Sequence, residues 1–180
     1  MTDIPVAHLI GNRIILWDSE KGSLIYQLGY YGKPVGIRKP KSPHFNRPLE
    51  ISVLEGFYLL SLEKIQIAVD RKILTKEEFR ERCIKQFKYF DDLYLVYEDL
   101  RNLGYIVRPG LKFGTDFSVY YKGPGIDHAP FLVHVQHTAL KPIVLVRAGR
   151  LATSVRKRYV IATVLPDRSI RYYVFSWFKP

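Results

Sequence analysis

Short apolar runs alternate with polar segments at the start of the chain. Residues 13–17 and 23–28 are apolar and β-prone, and the polar segment 18–22 separates them, so two strands joined by a turn are predicted. Apolar residues recur at helical spacing over residues 49–69, which predicts a helix. Thr75 and Glu78 match a capping box, which predicts that a second helix starts there. Residues 1–87 are therefore predicted to form a small N-terminal α+β module.

The second half of the chain shows both helical and strand periodicity. A helix that stops at Gly104 is predicted from four apolar positions, Leu93, Val96, Leu100 and Leu103. Asp91 and Asp92 are its predicted cap. Further elements are predicted in order: a strand at 116–121, a strand at 131–135, a helix at 147–155, and a hairpin of strands 159–165 and 170–178 about the turn 166–169. Residues 88–180 are therefore predicted to form a mixed sheet flanked by helices, which makes the whole chain α/β (α+β) in class.

Composition narrows the range of partners. The chain has 180 residues, of which 47% are hydrophobic, so it is expected to fold. Its net charge of +11 favours a polyanionic partner: RNA, DNA or an anionic membrane surface. The sequence has no apolar run long enough to span a membrane and no signal-peptide pattern, so a cytoplasmic location is expected. The single cysteine, Cys83, excludes an internal disulfide and a cysteine-rich zinc site.

Three reactive side chains in the second half suit RNA cleavage without a metal. That reaction removes a proton from a 2′-hydroxyl, adds one to a 5′-oxygen, and builds up negative charge on the phosphoryl group between them. Tyr120, His128 and Lys157 can serve these needs in turn. Alternation puts Tyr120 on the strand face opposite Phe117 and Val119. His128 lies in a loop rich in glycine and proline, from which it can approach a leaving group.

Three segments carry a resemblance to a known family. KFGTDFSVY (112–120), GPGIDHAPFLVHV (123–135) and RLATSVRKRYVIATV (150–164) resemble the catalytic domain of the archaeal and eukaryotic tRNA-splicing endonucleases, or tRNA-intron lyases. The resemblance covers residues 88–180 and implies a restriction-endonuclease-like fold for them. It carries the family's Tyr, His and Lys onto Tyr120, His128 and Lys157. It also implies that precursor tRNA is cut at bulge-helix-bulge junctions without a cofactor, leaving 2′,3′-cyclic phosphate and 5′-hydroxyl ends.

Several site assignments stay open at this point. Tyr121 is adjacent to Tyr120 and is an alternative base, while His134 and His137 are alternatives to His128. The family grips a bulged base between two arginines, and this implies RNA-binding roles for residues in the basic cluster and the final hairpin: Arg150, Arg156, Arg168 and Arg171. Which of these arginines acts as the second one is undecided.

Two other functions and two assemblies are also considered. A non-catalytic RNA-binding structural paralogue would use the same basic surface, and a metal-dependent nuclease could use the same fold. No second acidic residue lies beside Lys157, so a pair of carboxylates for Mg²⁺ is not expected.

The apolar run 170–178 predicts self-association through the C-terminal strand. The apolar side chains available for this contact are Tyr173, Phe175, Trp177 and Phe178. The resemblance also implies that an acidic turn of one subunit meets a basic cleft of another. Asp167 is the only acidic residue in the final turn here, so a heterotetramer with a more acidic, non-catalytic paralogue is favoured over a homotetramer.

Overall fold

The computed structural model describes residues 4–38, 40–155 and 157–175. The chain divides into two compact units, Met1–Phe90 and Asp91–Pro180, and each has its own sheet. Within the described ranges, no helix combines the length and the apolar character that crossing a membrane requires.

The N-terminal unit is a sheet with three helices. Its strands are β1 (Val6–Ile10), β2 (Arg13–Leu16), β3 (Lys33–Pro34), β4 (Leu49–Ile51), β5 (Gln66–Val69) and β6 (Lys72–Ile73). Its helices are α1 (Ser19–Gln27), α2 (Val53–Ser61) and α3 (Lys76–Gln86). The sheet order is β3-β4-β2-β1-β5-β6, with β1 and β5 parallel and the other neighbours antiparallel. This mixture confirms the predicted α+β class of this part of the chain.

Helix α1 replaces the strand that was predicted over residues 23–28, so that prediction is wrong. Asp18 caps the helix, because its Oδ1 accepts hydrogen bonds from the backbone N–H groups of Glu20 and Lys21, each at 3.0 Å. The first turn of a helix leaves such groups without partners inside the helix, and capping satisfies them. This local gain outweighs the β-prone composition of the run, since β-propensity depends strongly on context.

The single helix predicted over residues 49–69 is wrong at both ends. Strand β4 occupies its start and strand β5 its end, so α2 is confined to the middle. Ser52 and Glu55 form a capping box that sets the start of α2, with the Glu55 carboxylate accepting from the Ser52 N–H at 3.0 Å. The capping box predicted from Thr75 and Glu78 is confirmed at the start of α3.

The second unit alternates strands and helices around a five-stranded sheet. Its elements are α4 (Phe90–Asn102), β7 (Ile106–Pro109), the 3-10 helix η1 (Leu111–Phe113), β8 (Phe117–Tyr120), β9 (Phe131–Gln136), α5 (Pro142–Val155), β10 (Arg158–Val164) and β11 (Ile170–Phe175). The sheet order is β11-β10-β9-β8-β7, in which β9 and β10 are parallel. This architecture confirms the predicted mixed sheet with flanking helices.

Both predicted helix starts in this unit need correction. Helix α4 begins at Phe90, so Asp91 and Asp92 lie in its first turn and not at its cap. Carboxylates are favourable there because the N-terminal end of a helix carries partial positive charge. Helix α5 begins at Pro142, ahead of the predicted Arg147, and proline is favoured at the first position of a helix.

Helices α4 and α5 pack on opposite faces of the sheet. On the α4 face, the ring of Tyr97 lies 5.9 Å from that of Phe117, and the Arg101 guanidinium donates to the Val107 carbonyl at 3.1 Å. On the α5 face, Ala148 packs against a buried cluster made of Leu132, Tyr159 and Ile161. Even-numbered residues of β8 and β9 and odd-numbered residues of β10 therefore point towards α5.

Strand directions bring three separate segments to one end of the sheet. Strand β8 runs antiparallel to β9, and β9 runs parallel to β10. The last residue of β8 therefore lies at the same end as the first residues of β9 and β10. We call this the convergent end. The opposite end holds the start of β8, the end of β9 and the turn 165–169 between β10 and β11, and we call it the hairpin end.

Candidate active site

Tyr120 closes strand β8 at the convergent end. Its backbone is fixed by pairing with Ile106 of β7, and its side chain is half-buried on the α5 face. Burial raises the pKa of the Tyr120 phenol above its ordinary value, while Arg108 lowers it and the Asp127 carboxylate raises it further. The ordinary pKa of a tyrosine is about 10. The phenol is therefore mostly protonated at neutral pH.

Asp127 organises the loop that connects Tyr120 to His128. Its carboxylate accepts three backbone hydrogen bonds, from the N–H groups of Tyr121 at 3.1 Å, Lys122 at 3.0 Å and Gly123 at 2.9 Å. Gly123 adopts a φ of 127°, which a residue with a side chain rarely adopts. Burial raises the pKa of the Asp127 carboxyl, but these hydrogen bonds outweigh it and hold the pKa below its usual value. The loop is thus closed by a carboxylate that remains ionised.

His128 follows this closed turn directly. Its side chain is exposed, and no hydrogen bond to its ring occurs among the residues that the structure describes. The next residue, Ala129, is buried, so the backbone is anchored again immediately after the histidine. Asp127 and Ala129 therefore fix the chain on both sides of His128 and leave its ring open to solvent.

Lys157 directly precedes strand β10 at the same end. Its Nζ donates a hydrogen bond to the backbone carbonyl of Ala129 and lies 5.8 Å from the centre of the Phe113 ring. Burial lowers the pKa of Lys157 below its ordinary value, and the Asp127 carboxylate opposes this effect. The structure thus brings Tyr120, His128 and Lys157 to the convergent end, with Asp127 influencing both the phenol and the ammonium.

The alternative side chains lie in different surroundings. Tyr121 packs with Tyr105 and Phe131, with ring centres at 5.7 and 5.8 Å, on the face of the sheet opposite Tyr120. His134 bonds through Nδ1 to the Asp116 carboxylate at 2.9 Å. The pKa of Asp116 is raised by burial, but the hydrogen bonds from His134 and from a backbone N–H bring it below its usual value.

His137 is also held by a carboxylate. It lies just beyond the end of β9, at the hairpin end, and its Nδ1 is 3.3 Å from an Asp92 oxygen. Its side chain is 15% exposed. These partners fix His134 and His137 in place, whereas His128 has an open ring.

The candidate RNA-binding arginines lie in separate places. Arg150 is exposed on α5, and Arg156 lies outside the described residues. Arg168 and Arg171 are exposed at the hairpin end. Strand β10 has seven residues, so about 20 Å separates the hairpin end from Lys157. A single chain therefore does not bring Arg168 or Arg171 together with the reactive groups.

Arg168 has acidic neighbours. It borders a shallow cavity together with Glu98 and Asp99 of α4. Asp99 also accepts a hydrogen bond from the Tyr172 hydroxyl at 2.6 Å. These carboxylates reduce the positive potential around Arg168, and Arg171 is farther along β11.

Two residues near the site have roles that the sequence analysis missed. Asp127 is one, and Arg108 is the other: it pairs with Ser118 across β7 and β8 and so lies on the same face as Tyr120. A signal for Asp127 was present, because an aspartate at the end of a Gly-Pro-Gly turn often accepts backbone hydrogen bonds. Within the described ranges, no three His, Cys, Asp or Glu side chains are grouped closely enough to hold a metal ion.

Comparisons with known proteins match both units of the chain. The model of the tRNA intron endonuclease catalytic C-terminal domain matches residues 90–172, and the model of the N-terminal domain of the same family matches residues 6–80. The chain belongs to the tRNA intron endonuclease family. The resemblance stated from the three sequence segments is therefore confirmed, and so is the prediction that the chain is an endoribonuclease of this family.

Relatives match this family member over almost their whole length. A tRNA-splicing endonuclease of Hyperthermus butylicus is 44% identical over 178 residues, which cover 97% of this chain and 98% of that protein. Similar proteins of the same name come from Sulfurisphaera tokodaii, at 40% identity with 97% and 99% covered, and from Sulfolobus acidocaldarius, at 38% with 95% and 97% covered. The similarity therefore extends over almost all of both sequences in each pair.

Proposed function

We propose that this chain is the catalytic subunit of a tRNA-splicing endonuclease that cuts precursor tRNA at bulge-helix-bulge junctions, acting in the cytoplasm. The observation that carries the proposal is the meeting of Tyr120, His128 and Lys157 at one end of a sheet. The names of the relatives support the substrate. In this proposal residues 1–87 form an N-terminal module, and residues 88–180 form the catalytic domain.

The proposed reaction is a transesterification that needs no metal ion. The 2′-oxygen attacks the neighbouring phosphorus, and the bond from phosphorus to the 5′-oxygen breaks. Tyr120 in its phenolate form takes the 2′ proton, and protonated His128 gives a proton to the departing 5′-oxygen. The products are a 2′,3′-cyclic phosphate and a 5′-hydroxyl, and solvent then removes the acquired proton from Tyr120 and returns a proton to His128.

The surroundings of Tyr120 limit the supply of phenolate. Burial raises its pKa, so only a small fraction is ionised at neutral pH, while Arg108 favours that fraction. Since the phenolate is scarce, only a small fraction of molecules holds the base in the form that accepts the 2′ proton. Among the described residues, the positive charge of Arg108 is the one that lowers the pKa of this phenol.

Lys157 stabilises the phosphoryl group in the transition state. Its ammonium bonds the Ala129 carbonyl beside His128, and an RNA phosphate would replace that carbonyl as the acceptor. Loss of a preorganised donor of this type costs on the order of 3 kcal/mol in the reaction barrier. Arg150 and Arg156 supply further positive charge for the RNA backbone.

Assembly completes the RNA-binding surface in this proposal. Arg168 and Arg171 lie far from Lys157 in one chain, so they contact RNA that is bound at the active site of another subunit. Strand β11 is at the edge of its sheet, and Tyr173 and Val174 on it are 48% and 58% exposed. Self-association through this strand builds a tetramer, and a non-catalytic paralogue supplies the other subunits. Two further residues proposed for this contact, Trp177 and Phe178, lie outside the described residues.

The decisive experiment is cleavage of a bulge-helix-bulge RNA in EDTA, by the chain alone and together with candidate partner subunits. We expect cuts at both junctions with cyclic phosphate ends. The matched control is the same RNA with a 2′-deoxynucleotide at each junction, which lacks the nucleophile and should remain intact. A strict requirement for Mg²⁺ in the chemical step, or cutting of the deoxy control, would exclude this mechanism. Binding without cleavage in every combination would indicate a non-catalytic paralogue.

A further inference from the structure

Three aromatic rings form a cluster at the convergent end, on the face opposite the reactive side chains. The ring centres of Tyr105, Tyr121 and Phe131 are separated by 5.7 Å, 5.8 Å and 6.1 Å. The guanidinium carbon of Arg158 lies 5.9 Å from the centre of the Phe131 ring. We call these four residues the aromatic platform.

The platform is more open than a purely structural cluster requires. Tyr121 is 57% exposed, and Arg158 is exposed as well. Arg158 forms no ion pair with any residue that the structure describes. An aromatic cluster that only covers a core has no need of an unpaired guanidinium beside it. Flat rings next to a free cation are instead the surface on which nucleobases stack.

The platform is joined to the reactive groups by the backbone. Tyr121 follows Tyr120, and Arg158 follows Lys157. Because side chains alternate across a strand, Tyr120 and Lys157 each have a platform residue next to them in the chain and on the other face. An RNA strand that passes around the convergent end would therefore meet Lys157 on one face and the platform on the other.

We propose that the aromatic platform binds an unpaired nucleobase of the cleaved strand, close to the scissile phosphate. The occupant is a base because it combines a flat π-face for Tyr121 with a neighbouring phosphate for Arg158. This inference rests on the proposed cleavage of RNA at the convergent end. It gives Tyr121 a binding role, which is distinct from the base catalysis proposed for Tyr120.

The test uses fluorescence of 2-aminopurine in an uncut RNA. The probe replaces, one at a time, each unpaired nucleotide next to a junction in the 2′-deoxy control RNA. We expect strong quenching at one position with the full-length chain, because a stacked 2-aminopurine is quenched. Tyr121→Ala should remove this quenching and weaken RNA binding roughly 5- to 100-fold. Tyr121→Phe is the matched control. It should retain both the quenching and the RNA affinity of the wild type, because it retains the aromatic ring.

An abasic nucleotide at the quenched position gives a second readout. It should weaken binding by the wild-type chain about as much as Tyr121→Ala does, and the variant should show no further loss with that RNA. The inference is overturned if 2-aminopurine is quenched at none of the tested nucleotides, or if Tyr121→Ala quenches it as strongly as the wild type does. The proposed function is judged separately, by cleavage of the RNA that has its 2′-hydroxyls. Quenching without cleavage would retain the platform and reject the catalytic role.

Discussion

The two ends of the C-terminal sheet carry the same types of side chain in different arrangements. At the hairpin end, His137 bonds the Asp92 carboxylate, and His134 bonds Asp116 nearby. At the convergent end, Asp127 is next to His128 but bonds three backbone amides instead of the imidazole. The same pair of residue types thus holds a ring in place at one end and positions a loop at the other. The hydrogen-bond partners of a histidine indicate its role better than its presence in a motif does.

Replacing His128 should have the largest effect on cleavage. We expect His128→Ala to reduce the single-turnover rate by roughly 10²-fold or more, because the departing 5′-oxygen loses its proton donor. RNA affinity should change little, since the ring is exposed and holds no other group in place. The measurement is cleavage with enzyme in excess, together with a binding titration on the 2′-deoxy RNA.

The matched control for this variant is His137→Ala at the hairpin end. It removes the bond to Asp92 and should lower stability without comparable loss of cleavage per folded molecule. A larger rate loss in His137→Ala than in His128→Ala would reverse the contrast between the two ends.

Replacing Asp127 should have a smaller effect that depends on His128. An asparagine cannot accept from all three amides, because its NH₂ group is itself a donor, so the loop loses its fixed shape. We expect Asp127→Asn to slow cleavage roughly 10- to 100-fold, since small displacements of a catalytic group are costly. The check is an RNA whose leaving 5′-oxygen is replaced by sulfur, which departs without a proton donor.

The sulfur-containing RNA separates a loop effect from a general defect. Both His128→Ala and Asp127→Asn should cleave it at nearly the wild-type rate. If His128→Ala is rescued and Asp127→Asn is not, then Asp127 does not act by positioning the histidine.

Replacing Asp116 should affect folding more than catalysis. Asp116 accepts from His134 at 2.9 Å and from the Val135 N–H at 2.8 Å. We expect Asp116→Asn to lower the free energy of unfolding by about 1–3 kcal/mol at neutral pH, with the cleavage rate per folded molecule almost unchanged. Urea denaturation followed by circular dichroism measures the difference.

The effect of pH on this variant has a definite sign. The folded-state pKa of Asp116 lies below its ordinary value, so the stabilisation is present above an unfolded pKa of about 3.9 and is lost as pH falls through the folded value. The difference between wild type and Asp116→Asn should therefore shrink below about pH 4. A difference that stays constant over this range would mean that the carboxylate charge is not involved.

Local signals predicted the parts of the fold that depend on local interactions. The capping box at Thr75 predicted the start of α3. The alternation in 116–121 predicted the two faces of β8, and Gly104, which has a φ of 86°, stops the helix before it. The errors occurred where a helix cap sets the boundary of an element: Asp18 starts a helix in a run predicted as a strand, and Ser52 starts α2 inside a longer predicted helix. There a few hydrogen bonds decide between two structures that apolar spacing alone does not separate.

The candidate site was predictable in its residue types but not in its supports. The proposed reactive residues lie in segments with strong patterns, so they could be named as candidates from the sequence. The partners of Asp127 are backbone amides, and those of Lys157 include a backbone carbonyl and a ring. Almost any residue can supply a backbone amide or carbonyl, so such contacts do not require a particular type of partner residue. They can be identified only from the arrangement of the strands in the structure.

The parallel pairing of β9 and β10 has a consequence for the order of events during synthesis. Tyr120 and His128 lie within one short stretch, but Lys157 bonds the carbonyl of Ala129, which lies 28 positions earlier in the chain. Parallel neighbours require a crossover, here the whole of α5, before the second strand can dock. A nascent chain that has emerged only as far as His128 has the proposed acid and base but not the cation proposed to stabilise the phosphate. Under the proposed mechanism, full cleavage activity therefore requires that the crossover has closed, and an unfinished chain on the ribosome should cut nearby RNA far more slowly.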